Sequence, residues 1–100
     1  MSVIVDLAIF PMDKGGSVSD YVSRAVKIIK GCGLSYQFGP MGTAVEGEWD
    51  EVMNVVGRCF RALERDSERV YMTLKIDYKK GSDNRITTKV KSVEDKLKAS

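Results

Sequence analysis

The chain has no histidine. That removes the side chain most used for general acid–base work near neutral pH and the commonest metal ligand, and enzymatic readings lose weight with it. Cysteine is scarce as well. Cys32 and Cys59 stand alone, without CxxC spacing or partnering histidines, and read as reduced thiols of a cytosolic protein rather than as a disulfide or a metal site. No apolar run approaches the roughly eighteen residues a membrane span requires, and the N-terminus lacks the charged and apolar regions of a secretory signal. Charge of one sign is also lacking. Lys and Arg total 16 against 14 Asp and Glu, a net charge of +2, and the two signs are interspersed. Clustered positive charge is the footprint of nucleic-acid binding, so no nucleic acid is expected as a partner. With 100 residues the chain is expected to form a single domain over 1–100 around one core.

What is present is ordered by turns and periodicity. Gly39-Pro40-Met41-Gly42 is turn chemistry, since proline fixes φ and glycine takes conformations a reversal needs. Leu34–Phe38 before it and Thr43–Glu48 after it alternate with period two, which predicts a β-hairpin with Glu46 opposite in face to Val45. A first strand is expected over Ser2–Phe10, stopped by Pro11 and apolar on both faces except at Asp6. Ser17 is expected to cap a first helix with the stripe Val18, Tyr21, Val22, Ala25, Ile28 and Ile29, closed by Gly31 and Gly33.

Glu48-Trp49-Asp50-Glu51 opens a second helix, expected to reach about Arg65, with Val52, Val55, Val56, Cys59, Phe60 and Leu63 on one face. Val70–Tyr78 alternates as a last strand. From Thr87 a final helix carries a narrow stripe of Val90, Val93 and Leu97, enough to dock but hardly to fold alone. The predicted class is α+β, a ferredoxin-like βαββαβ sandwich with an additional C-terminal helix.

Two helices cover one side of a four-stranded sheet. The other side is expected to carry Ile4, Ala8, Phe10, Ala44 and Tyr71 beside Asp6, Glu46, Thr73 and Lys75, too apolar to be left to water, so a homo-oligomer built on an isologous dimer is expected. Asp6 and Glu46 fall on neighbouring strands of that face. They could pair with Lys75 or a second subunit, or hold a cationic or donor-rich ligand, with Thr43 and Thr73 supplying hydroxyls and Tyr36 or Trp49 an aromatic surface. The loop Asp13–Ser17 lacks the spacing of a phosphate-binding motif and reads as a plain helix entry.

Several of these segments together resemble a known family: Phe10-Pro11, Ser17-x-x-x-Tyr21-Val22, Gly39-Pro40-Met41-Gly42-Thr43-x-x-Glu46-Gly47-Glu48 with Asp50-Glu51-Val52, and Arg69-Val70 leading to Lys75-Ile76-Asp77. The chain is similar to the small thiamine-binding protein family across nearly its whole length. That resemblance implies a ferredoxin-like subunit assembling as dimers and tetramers, and binding of thiamine or its hydroxymethylpyrimidine part without known catalysis; no cofactor and no metal are expected. An aminopyrimidine offers donors to a carboxylate, and a thiazolium is a cation that an acidic or aromatic pocket can hold. The expected site comprises Asp6, Tyr36, Phe38, Thr43, Glu46 and Trp49, with Glu46→Ala expected to weaken binding. The alternative is a structural or regulatory homo-oligomer without a small ligand.

Overall fold

A computed structural model of the chain describes residues 2–16, 18–81 and 83–99. Its elements run β1 (Val3–Pro11), α1 (Ser19–Lys30), β2 (Ser35–Phe38), β3 (Thr43–Gly47), α2 (Trp49–Glu64), β4 (Val70–Tyr78) and α3 (Arg85–Ala99). The four strands form one antiparallel sheet in the order β2-β3-β1-β4. This is the ferredoxin-like arrangement expected from the alternating strand, helix and hairpin pattern, with α3 appended. Among the described residues no helix is long and apolar enough to cross a membrane.

Alternation decides which side of each strand is covered. Val3, Val5, Leu7 and Ile9 of β1 and Val45 of β3 point toward α1 and α2 and are buried. The helices answer with Ala25 and Ile29 from α1 and with Val52, Val55, Val56, Cys59, Ala62 and Leu63 from α2. At roughly 1.5–3 kcal/mol for each fully buried aliphatic side chain, this shared layer is the main cohesive force of the fold. Gly47 belongs to it by being small. A Cβ there would stand 3.2 Å from the Leu34 methyls and 3.3 Å from Val52.

The Cys59 thiol lies against the Ala25 carbonyl at 3.5 Å, and burial pushes its pKa up to about 11. Both cysteines are free. Arg24 ties the two helices on their outer side, pairing with Asp66 at 2.9 Å while stacking over the Tyr21 ring at 4.8 Å.

Several boundaries differ from those read in the sequence. The proposed cap Ser17 lies outside the described residues. α1 begins at Ser19, with Val18 at the cap position and no side-chain cap. Gly31 ends α1 with φ −89°, so the left-handed turn falls to Gly33 at φ +84°. Pro11 closes β1 from within, paired with Val70, because the last residue of a strand tolerates a missing donor. α3 starts at Arg85, two residues early, because Asn84 at φ +57° turns the chain directly into it.

Candidate functional site

Register places Glu46 and Asp77 in one cross-strand row on either side of Ile4, on the sheet face away from α1 and α2. The first turn of α3 docks there. The Arg85 and Ile86 amides donate to the two Glu46 carboxylate oxygens at 2.9 and 3.2 Å, and the Ser2 hydroxyl donates to the first of these oxygens at 2.8 Å. Arg85 also forms an ion pair with Asp77, which Lys89 joins at 2.9 Å. Helix amides that have no partner within the helix thus find a carboxylate, with the helix dipole favouring the same arrangement. Glu46 is only 5% exposed.

Burial by itself would raise the Glu46 pKa. The amides of Arg85 and Ile86, the Ser2 hydroxyl and the Arg85 charge together outweigh burial and hold it below its ordinary 4.5. A depressed carboxylate contributes stability that is complete above its unfolded-state value and is lost as pH falls through the folded-state value. Asp77, held down by Lys89 and Arg85, acts in the same direction. Docking of α3 is therefore expected to persist above about pH 4.5 and to weaken progressively below it. Amide exchange along α3 measured across an acid series checks this, and α3 protection that survives until the whole chain unfolds would contradict it.

Asp6 has a different setting. It shares the open face with Glu46, but Ala44 and Lys75 are the residues opposite it, so the two carboxylates are diagonal neighbours. Asp6 is exposed, and among the described residues no salt bridge joins it to Lys75. Beyond it the face continues as Ala8 and the ring pair Phe10–Tyr71, with centroids 5.5 Å apart. α3 covers only the Glu46 end.

The cavity lies at the other end. Pairing of β1 with β3 stops at Leu7↔Thr43, and pairing of β2 with β3 stops at Phe38↔Thr43, while β1 stays paired with β4 as far as Pro11. Past Thr43 the sheet is two strands wide, and the turn 39–42 leaves a notch beside β1. Val22, Ala25, Val26 and Ile29 of α1 wall it on one side, with Leu7, Ile9 and Phe38 around it, and it encloses about 290 Å³. The lining is chiefly apolar.

Thr43 is the exception, 4% exposed and with no hydrogen bond from its hydroxyl among the described residues. Gly42 forms the lip. A Cβ there would stand 2.8 Å from Asp6 Oδ1 and 3.2 Å from the Leu7 carbonyl, so only glycine lets the Asp6 carboxylate lie against the turn.

The six residues expected to form one site are therefore distributed. Thr43 and Phe38 line the cavity, and Asp6 lies at its lip across Gly42. Glu46 is at the opposite end of the face, holding α3. Tyr36 is on β2, beside Gln37, Ile86 and Val90 in a separate shallow groove, and Trp49, half exposed, opens α2. Sequence reasoning missed Val22 and Val26 as cavity walls, since a helix stripe does not show where the opposing sheet ends. It also missed the bonds of Ser2 and of the α3 amides to Glu46. In the loop before α1 the exposed Asp13 carboxylate accepts from the Glu68 amide at 2.8 Å, an acid at a place that does not suit an anion.

Comparison with known proteins bears on this geometry. The sequence profile of the family described as thiamine-binding protein matches residues 5–94. A UPF0045 protein of Methanocaldococcus jannaschii is 35% identical over 91 residues, covering 91% of each chain, and one of Methanothermobacter thermautotrophicus is 37% identical over 98 residues, covering 95% of this chain and 99% of that one. The crystal structure of the Methanocaldococcus protein superposes with a TM-score of 0.86, covering 93% of this chain and 96% of that one. A Thermotoga maritima structure, provisionally described as a thiamine biosynthesis/salvage protein, gives 0.83 at 34% identity and covers 93% and 99%.

Proposed function

The chain belongs to the thiamine-binding protein family, and on that premise we propose that it is a non-catalytic binding protein for thiamine or its hydroxymethylpyrimidine moiety, acting in vitamin uptake, salvage or buffering. The observation that carries this reading is the notch beside β1, an apolar cavity with one unpartnered hydroxyl, that of Thr43. Its volume of about 290 Å³ stands at the lower end for small-molecule sites, roughly 300–1,000 Å³. A single substituted heterocycle suits it better than both rings of the vitamin. The thiazolium of thiamine would then emerge past Gly42, where the Asp6 carboxylate offers a cation partner. With no histidine and no nucleophile set beside the cavity, the residues bind and do not turn over.

The proposed assembly is a homo-oligomer of isologous dimers, with a dimer of dimers as the larger state. Its occupant for the open sheet face is a second copy of this chain. Asp6 lies directly across from Lys75, so the face is self-complementary in charge around the apolar Ala8, Phe10 and Ala44. The exposed α3 residues Val93 and Leu97 add a second apolar contact. Free thiols at Cys32 and Cys59 suit the cytoplasm. The position of Glu46, committed to holding α3, favours one alternative, a structural oligomer in which the acids fix the assembly and no ligand is bound.

Calorimetric titration with thiamine and, separately, with hydroxymethylpyrimidine at known oligomer mass tests the reading. Saturable binding with fixed stoichiometry is expected. Absence of both heat and thermal stabilisation at millimolar ligand would leave the structural oligomer.

A further inference from the structure

The walls of the notch include a backbone edge as well as side chains. In an antiparallel strand each residue turns its N–H and C=O together toward one neighbour, and successive residues alternate between the two neighbours. The Met12 amide donates to the Arg69 carbonyl at 2.8 Å, on the β4 side of the β1 strand path. Even-numbered residues of this stretch therefore face β4, and odd-numbered ones face the other way. The Leu7 carbonyl agrees, lying 3.2 Å from where a Gly42 Cβ would stand, on the β3 side.

Ile9 is the next odd residue, and its N–H and C=O turn toward the notch. β3 has ended by then. The turn 39–42 makes one backbone bond among the described residues, from the Gly39 amide to the Gly42 carbonyl at 2.9 Å, and none to β1. Ile9 is 5% exposed and lines the cavity. A buried peptide edge without a partner is uncommon because its desolvation is costly, so the edge is a position where a guest molecule gains hydrogen bonds that the protein does not supply.

We infer that the Ile9 peptide edge, with the Thr43 hydroxyl, is the recognition element of the cavity, and that it reads a planar ring bearing an amino donor next to a ring-nitrogen acceptor. This rests on the ligand class proposed above and adds which atoms of the chain hold the pyrimidine half. The Ile9 N–H donates to the ring nitrogen, and the Ile9 C=O accepts from the exocyclic amino group. A 4-aminopyrimidine presents that pair side by side. A thiazolium presents a cation and no such edge, and the apolar walls Val22, Val26 and Ile29 hold no countercharge for it. The pyrimidine goes inward and the cation stays at the lip near Asp6.

Titration of the ¹⁵N-labelled protein with 4-amino-5-hydroxymethyl-2-methylpyrimidine tests this, alongside the 4-deamino analogue and a Thr43→Val variant. The Ile9 amide is expected to move downfield at saturation, among the largest shifts in the chain. The deamino analogue, leaving the Ile9 carbonyl unpaired, is expected to bind at least ~10-fold more weakly, and Thr43→Val to lose about 3–10-fold with the fold retained. Equal affinity for both pyrimidines, or main shifts around Tyr36 and Ile86, would overturn the Ile9 assignment while leaving the binding function standing. No binding of either pyrimidine or of thiamine would overturn both.

Discussion

Glu46→Ala is expected to release α3 from the sheet and lower stability by roughly 2–4 kcal/mol, with ligand affinity changed little. The carboxylate accepts from the Arg85 and Ile86 amides and from Ser2, and hydrogen bonds to a charged acceptor contribute about 1.5–3 kcal/mol each. The lower figure follows because the freed amides regain water once the helix lifts. α3 buries no side chain fully, so beyond Glu46 it is retained chiefly by the Arg85 and Lys89 pairs with Asp77. For a domain of this size the melting temperature should fall by at least ~8 °C. Hydrogen exchange along α3 distinguishes release from general loosening, and an α3 that stayed protected would show a firmer dock than these bonds supply. Glu46→Gln keeps one carboxylate-like acceptor and is expected to lose less. This differs from the effect expected of a ligand-contacting Glu46, in which affinity falls and the chain is otherwise unaltered.

The second large effect concerns the notch. Val26 on α1 is half-buried at its wall, and Val26→Phe would place a ring in the space. Enlarging a side chain in a packed core costs about 1–3 kcal/mol, but an existing cavity absorbs the added volume, so a stability change under ~1 kcal/mol is expected. Binding of hydroxymethylpyrimidine is expected to weaken ~100-fold or more, equivalent to about 2.7 kcal/mol. Calorimetry with a parallel thermal melt separates the two quantities. Unchanged affinity in a stable Val26→Phe protein would move the ligand elsewhere on the molecule.

Much of the fold was legible because its rules are local. Period-two alternation in β1 and β4, the three-and-four spacing in α2 and the Gly39-Pro40 turn each decide an element from neighbouring residues, and alternation correctly grouped Asp6, Ala44, Glu46 and Lys75 on one face. The candidate site was less legible because it depends on where strands stop. Nothing in the spacing of Thr43 and Ile9 reveals that β3 ends opposite Leu7 while β1 continues to Pro11. Glu46 was singled out correctly as a carboxylate in need of donors. Two of its donors are main-chain amides of a helix about forty residues away, and an amide leaves no mark in the sequence. Residue type alone groups Tyr36 and Trp49 with it, and the structure places them apart.

The ladder between β1 and β4 runs unbroken from Val3↔Tyr78 to Pro11↔Val70, with β4 at the edge of the sheet and β3 on the other side of β1. Its partners come from near opposite ends of the chain. During synthesis β1 therefore emerges well before β4 and has no partner on that side until the residues between them have left the ribosome, so its apolar strand must wait in an incomplete state. Closing so long a loop sets a high entropic barrier, and the β2–β3 hairpin and α2 can organise well before the sheet is closed. The same closure explains why the anchor for α3 matures last: Glu46 and Asp77 stand in one row only after β1 has come between their strands.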